Sequence, residues 1–326
     1  MFAVVAQLGE RLGCCKKLPR SASQVAFAAP RGLRTNSTKR SNIHYINTCT
    51  LVRRPCLNMP RVLTDELVQG HATSASITHT SRISPTVREI VLHVHDKTMS
   101  FEPGQWVDFF IAGMDTIGGY SITSTPAALP KLRLAVKHSK HAPADWVHSK
   151  ATVGMEVHIR PGGTFYWAAR VHRPPLLLIA GGIGATPLMS ILRAAAEEAA
   201  SNSMEWARPS TVQVLYSCST PAEAAPMLDA LHEVSTVFGP GLRSQVHFTK
   251  TGCESTKEVP ASVVKAGRMG RGDLQDALER AGQAAGAALA APHVFVCGPP
   301  SMTDATVQML DELGVPGHHV HFEKWW

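Results

Sequence analysis

Long apolar runs are missing from this sequence. None of its 326 residues lie in a stretch approaching the roughly 20 apolar residues that a membrane-spanning helix needs, so no membrane span is expected. Cysteine is scarce where it would matter. Of seven cysteines, Cys14, Cys15, Cys49 and Cys56 crowd into the first 56 residues, which leaves Cys218, Cys253 and Cys297 for the rest. That odd number, widely spaced and without a C-x-x-C pair, points to neither a zinc site nor a disulfide framework, and no metal ligands are expected. The four-thiolate spacing of a plant-type iron–sulfur domain is absent as well. Acid is missing from one segment: residues 1–61 hold eleven Lys and Arg against a single acid, Glu10, a net of +10. The whole chain is +7, so residues 62–326 carry −3, and the basic balance belongs to the leader. A nucleic-acid-binding surface is therefore not expected.

The leader is rich in Arg, Ser and Thr, and Phe2, Val5, Leu8 and Leu12 fall on one side of a helix with Gln7, Glu10 and Arg11 opposite. That composition predicts a mitochondrial transit peptide over 1–61, hence a mitochondrial location. From about residue 72 to 169 the chain reads as short β-rich runs, 73–79, 87–95, 105–112, 132–137 and 155–160. Ser84-Pro85, Pro103-Gly104, Gly118-Gly119, Leu129-Pro130 and Pro161-Gly162-Gly163 punctuate them. Such spacing predicts a small antiparallel barrel with one inserted helix near 143–150. The pattern changes at Pro174-Pro175. Strands at 176–180, 212–216, 245–249 and 293–297 then alternate with helices near 188–199, 222–237, 274–285 and 302–313, the last closed by Gly314 and Pro316. This alternation predicts a parallel sheet covered on both faces. The reading divides the chain into a leader over 1–61, a barrel over 66–170 and a dinucleotide-binding domain over 171–326.

Two motifs carry chemistry. In "LLLIAGGIGATPLMSILR", a buried strand runs into Gly181, Gly182, Ile183 and Gly184, followed by Ala185, Thr186 and Pro187 opening a helix. Thr186 is expected as the N-cap and Pro187 at the first helical position. Glycines there let the backbone approach a phosphate, and the helix N-terminus favours negative charge. In "VFVCGPPSM", a late strand ends at Cys297 before Gly298 and Pro299, at the sheet's carboxyl edge, where open α/β folds bind ligands. Upstream, "GGYSITSTP" sets Tyr120, Ser121, Thr123 and Ser124 in the manner of a flavin edge.

In this order, Tyr120-Ser121, Gly181 to Pro187 and Cys297-Gly298-Pro299 resemble the ferredoxin–NADP reductase family from about residue 70 to the end. The resemblance implies an all-β plus α/β fold: an antiparallel flavin-binding β-barrel followed by a parallel-sheet, Rossmann-like nicotinamide-binding domain. It implies an oxidoreductase that passes hydride from a nicotinamide dinucleotide to FAD. Tyr120 would then pack on the flavin ring, with Thr123 beside it, and the Ser121 hydroxyl would bond near the reactive nitrogen. Residues Gly181 to Pro187, with Gly298 and Pro299, would hold the dinucleotide. Cys297 would lie beside the nicotinamide carbon, Glu323 with Ser121 would manage the proton, and the terminal Trp325 or Trp326 would cover the ring. With no iron–sulfur domain in the chain, electrons would leave to a separate acceptor.

The sequence departs from this pattern on one side. Gly118 stands where the family has an arginine that pairs with the flavin's phosphate, and His141 and Ala144 stand where it has a glycine and a serine. A charge-assisted contact of that kind is worth roughly 1.5–3 kcal/mol. Lys137, His138 and Lys140 are near enough in sequence to replace it, or form an ordinary solvated cluster. Two readings stay open: a flavin-dependent reductase, or a dinucleotide-binding sensor or assembly module that has lost flavin and catalysis. After residue 216, "SCSTPAE" offers no arginine for a 2′-phosphate while Glu223 is suited to ribose hydroxyls, which favours NAD over NADP.

Overall fold

The computed structural model describes residues 72–172, 175–201, 211–250, 262–285 and 291–324. The leader, Cys253 and Trp325-Trp326 lie outside them.

Six strands form the first layer: β1 (Thr73–Arg82), β2 (Val87–Val94), β3 (Trp106–Phe110), β4 (Gly118–Ser121), β5 (Lys131–Lys137) and β6 (Glu156–Gly162). Their order is β4-β3-β6-β1-β2-β5, antiparallel throughout. A bridge between Ile122 and Leu134 brings the two edges together into a barrel. Alternation directs Ile77, Ile90, Leu92, Phe109, Leu132, Leu134 and Ile159 inward to one core. Helix α1 (Ala142–Ser149) contributes Ala144 and Val147 to the same core. Strand β4 occupies a place that sequence marks as a turn, because two of its four residues are glycines and only pairing with β3 holds it extended.

The second layer is a parallel sheet in the order β10-β9-β8-β7-β11-β12. Its strands are β7 (Leu176–Gly181), β8 (Val212–Cys218), β9 (Leu242–Phe248), β10 (Ser262–Ala266), β11 (His293–Gly298) and β12 (Val320–Lys324). Helices α2 (Ala185–Ala200) and α3 (Pro221–Phe238) cover one face, and α4 (Arg271–Ala285) and α5 (Pro300–Glu312) belong to the other. The unbroken apolar run of β7 follows directly: Leu176, Leu178 and Ala180 enter the core under α2 and α3, and Leu177 and Ile179 the core under α4. Strand order reverses between β7 and β11, so the turns after these two strands sit side by side at the switch point. Edge strands β10 and β12 are absent from the sequence reading, since half-exposed edges lack the continuous apolar run of a central parallel strand.

Hydroxyls and carbonyls join the layers. Ser190 Oγ donates to the Ser124 carbonyl at 2.7 Å, and Arg193 Nη1 to the Thr123 carbonyl at 2.7 Å. Thr125 Oγ1 donates to Glu197 at 2.7 Å, while Ser84 and Thr86 hydroxyls donate to Glu223 at 3.0 and 2.9 Å. These bonds fix the end of β4 against α2 and the β1–β2 turn against α3. The "ITSTP" half of "GGYSITSTP" thereby serves contact between the layers.

Candidate functional site

At the switch point, glycine is required by close approach. A β-carbon on Gly184 would overlap the Cys297 carbonyl, and one on Gly181 would overlap Met302 of α5. One on Gly298 would stand 3.1 Å from the Gly181 backbone. Thus the two carboxyl-edge turns are packed backbone to backbone, and Gly182, at φ +54° with open space around it, forms the lip. A single 3₁₀ turn, Gly182–Gly184, leads straight into α2.

The helix starts earlier than the sequence suggests. Gly184 occupies the N-cap position, with Thr186 and Pro187 already inside the first turn. Thr186 Oγ1 donates to the Ile183 carbonyl at 2.8 Å, so its hydroxyl tightens the turn in place of capping the helix. This earlier start favours anion binding, because the 3₁₀ turn brings the glycines to the helix N-terminus itself, where backbone amides and the helix dipole favour an anion.

Facing this lip is the barrel. A cavity of about 40 Å³ is lined by Lys137 of β5, by Gly182, Ile183 and Thr186, and by Ser219 and Glu223 beyond β8. Lys137 is exposed and has no bonded partner among the described residues. Glu223 uses one carboxylate oxygen on Ser84 and Thr86. Cys218, also in the wall, is buried, and burial pushes its thiol up to about 11, so it stays protonated.

Other expected site residues take up distinct surroundings. Cys297 is fully buried in the core beneath α2, beside Ala180 and in register with Glu323 of β12. Ser121 is buried at the end of β4, and its hydroxyl has no partner among the described residues. Thr123 Oγ1 donates its proton to the Arg133 carbonyl at 3.1 Å and keeps its lone pairs as acceptors. Tyr120 points inward against Phe109, ring centroids 5.5 Å apart, and its phenol oxygen is buried without a partner. Burial pushes that phenol far above its ordinary value. An unpartnered Ser121 hydroxyl at the end of β4 fits the polar edge of a flavin ring; the phosphate portion finds no cation on β4, where the Tyr120 ring lies over Gly118.

Sequence reasoning missed the amino edge of the parallel sheet. There His172, His293, His319 and His321 lie in ring contact, and His293 Nδ1 is 3.4 Å from His321 Nε2. Four histidines scattered over 150 positions give no local signal. Among the described residues, no group of three or more His, Cys, Asp or Glu is placed to hold a metal ion.

The family model described as oxidoreductase NAD-binding domain matches residues 178–308, which include both glycine turns. Oxidoreductase NAD-binding domain-containing protein 1 of Bos taurus is 36% identical over 273 residues, covering 80% of this chain and 83% of the relative. The chain belongs to this family. As a member it is an NAD(P)H-dependent oxidoreductase. The reductase component of propane 2-monooxygenase from Gordonia is 28% identical over 80% of this chain and 70% of its own length. Among solved structures, a ferredoxin NADP+ reductase from Neisseria gonorrhoeae with bound FAD and NADP superposes with a TM-score of 0.59. It is 18% identical and covers 79% of this chain and all of its own, a likeness of fold.

Proposed function

We propose that the protein oxidises NADH, in preference to NADPH, by passing hydride to a flavin seated between β4 and the parallel sheet, and that electrons then leave to a separate acceptor protein. The observation that carries this reading is the pair of glycine turns packed at the switch point, opening toward the barrel wall that bears Lys137. The α2 N-terminus and the Gly182 lip bind the dinucleotide's pyrophosphate, and the Lys137 ammonium adds charge from the opposite wall. Glu223 meets the ribose hydroxyls and repels a 2′-phosphate. Cys297 lies beside the nicotinamide carbon, at the turn whose backbone carbonyl packs against Gly184. Ser121 orients the flavin ring by its free hydroxyl, Glu323 at the β12 edge supplies or removes the proton, and Trp326 covers the ring. A bound flavin supplies the two-electron acceptor chemistry that no side chain here provides.

The relative named as a reductase component supports a separate acceptor. The composition of residues 1–61 supports a cleaved mitochondrial leader, with mature domains over 66–170 and 171–326; imaging of the full chain against its leader-deleted form tests this. The reaction is tested by mixing the protein with flavin and NADH without oxygen. Loss of the oxidised-flavin band in step with NADH consumption is expected. NADH binding without flavin reduction would instead favour the sensor reading, which rests on Gly118.

A further inference from the structure

Flavins differ in what hangs from a common ring: riboflavin ends in a ribityl alcohol, FMN adds a phosphate and FAD a second phosphate with adenosine. We infer that this chain recognises the ring alone and takes flavin as a dissociable substrate. The inference rests on the flavin seat proposed above and asks how that seat holds its occupant.

Both places where a phosphate would be held are altered, and each alteration has a structural consequence. On β4, Gly118 is buried and the Tyr120 ring lies across it. A β-carbon at 118 would stand 2.7 Å from Tyr120 Cε2 and 3.0 Å from its phenol oxygen. An aromatic ring thus fills the space through which a cationic side chain would extend. Across the sheet, Arg160 of β6 is bonded to Asp108, with Nη2 to Oδ2 at 2.6 Å and Nε to Oδ2 at 3.2 Å. At α1, the first turn carries Asp145, whose negative charge offsets the positive end of the helix dipole and repels a phosphate there. Pro143 removes one of the first-turn amides, and the Asp145 amide already donates to the His141 carbonyl at 3.0 Å. His138 lies 3.9 Å from the Asp145 carboxylate, whose negative charge opposes an anion beside it, and Lys140 stands exposed to water, where a single charge contributes little.

Against these losses, the Ser121 hydroxyl at the end of β4 has no partner among the described residues. Lys137, the remaining candidate, faces the Gly182 lip and is taken up there by the dinucleotide, so among the described residues the seat keeps a group to orient a flavin and lacks a cation for its phosphate. Balance is complete with the species named: the reduced dinucleotide gives a hydride, solvent gives one proton, and the products are oxidised dinucleotide and reduced flavin, which departs.

The experiment is a titration of the full chain with riboflavin, FMN and FAD, read by quenching of flavin fluorescence and so independent of turnover. Dissociation constants within about threefold of one another are expected, because a phosphate contact, where present, is worth about tenfold or more. FMN or FAD binding at least tenfold tighter than riboflavin would overturn the inference while leaving the flavin seat intact. Failure of all three to bind would remove the seat itself, and the inference with it.

Discussion

Tyr120 Cε2 lies 2.7 Å from where a β-carbon on Gly118 would stand, so the two residues of one short strand share a single volume. Gly118→Ala is expected to destabilise the protein by about 1–3 kcal/mol, the usual cost of overpacking a filled core. Chemical denaturation checks this, and an unchanged midpoint would mean that the ring moves aside freely.

The same ring carries a buried phenol oxygen without a partner. Tyr120→Phe removes that group and keeps the ring, so stability is expected to hold or to rise by up to about 1 kcal/mol. A loss beyond that margin in the same denaturation assay would show that the hydroxyl is bonded in solution.

Gly182 and Gly184 separate conformation from space. Alanine at 182 meets nothing within 4 Å but must adopt φ +54°, which costs roughly 1–2 kcal/mol. Alanine at 184 overlaps the Cys297 carbonyl and forces the two turns apart. NADH affinity, measured by calorimetry, should therefore fall far more in Gly184→Ala than in Gly182→Ala.

Lys137 is exposed and unpartnered, so Lys137→Ala should leave the melting temperature unchanged. If its ammonium meets the pyrophosphate, NADH should bind about tenfold to a hundredfold more weakly, with the difference shrinking at high salt. Equal affinity in wild type and variant would place the dinucleotide elsewhere.

Burial, with neighbouring imidazoles, lowers His293 and His321 to about 4 from an ordinary 6.5. Between these values the unfolded chain binds protons that the folded chain does not. Stability is therefore full above pH 6.5 and declines as pH falls toward 4. Urea midpoints at pH 7.5, 5.5 and 4.5 should fall in that order, and His321→Phe, which keeps a ring against Phe295, should flatten the slope.

Central strands, long helices and glycine turns are legible in the sequence because each satisfies one strong constraint: two-sided burial in "LLLIA", 3.6-residue spacing in α2, backbone approach at Gly181, Gly184 and Gly298. What escapes is set by tertiary pairing. Gly118-Gly119 reads as a turn until β3 pairs with it, and Thr186 reads as a cap until the preceding 3₁₀ turn moves the helix start. The missing arginine at 118 is visible in sequence, but only the structure shows that Tyr120 has taken its place.

Anaerobic stopped-flow mixing of the protein and riboflavin with NADH tests the central claim most directly. The account predicts protein-dependent bleaching of the flavin, one NADH consumed per flavin, and slower bleaching in Ser121→Ala with NADH affinity nearly unchanged. No protein-dependent bleaching with riboflavin, FMN or FAD would contradict it.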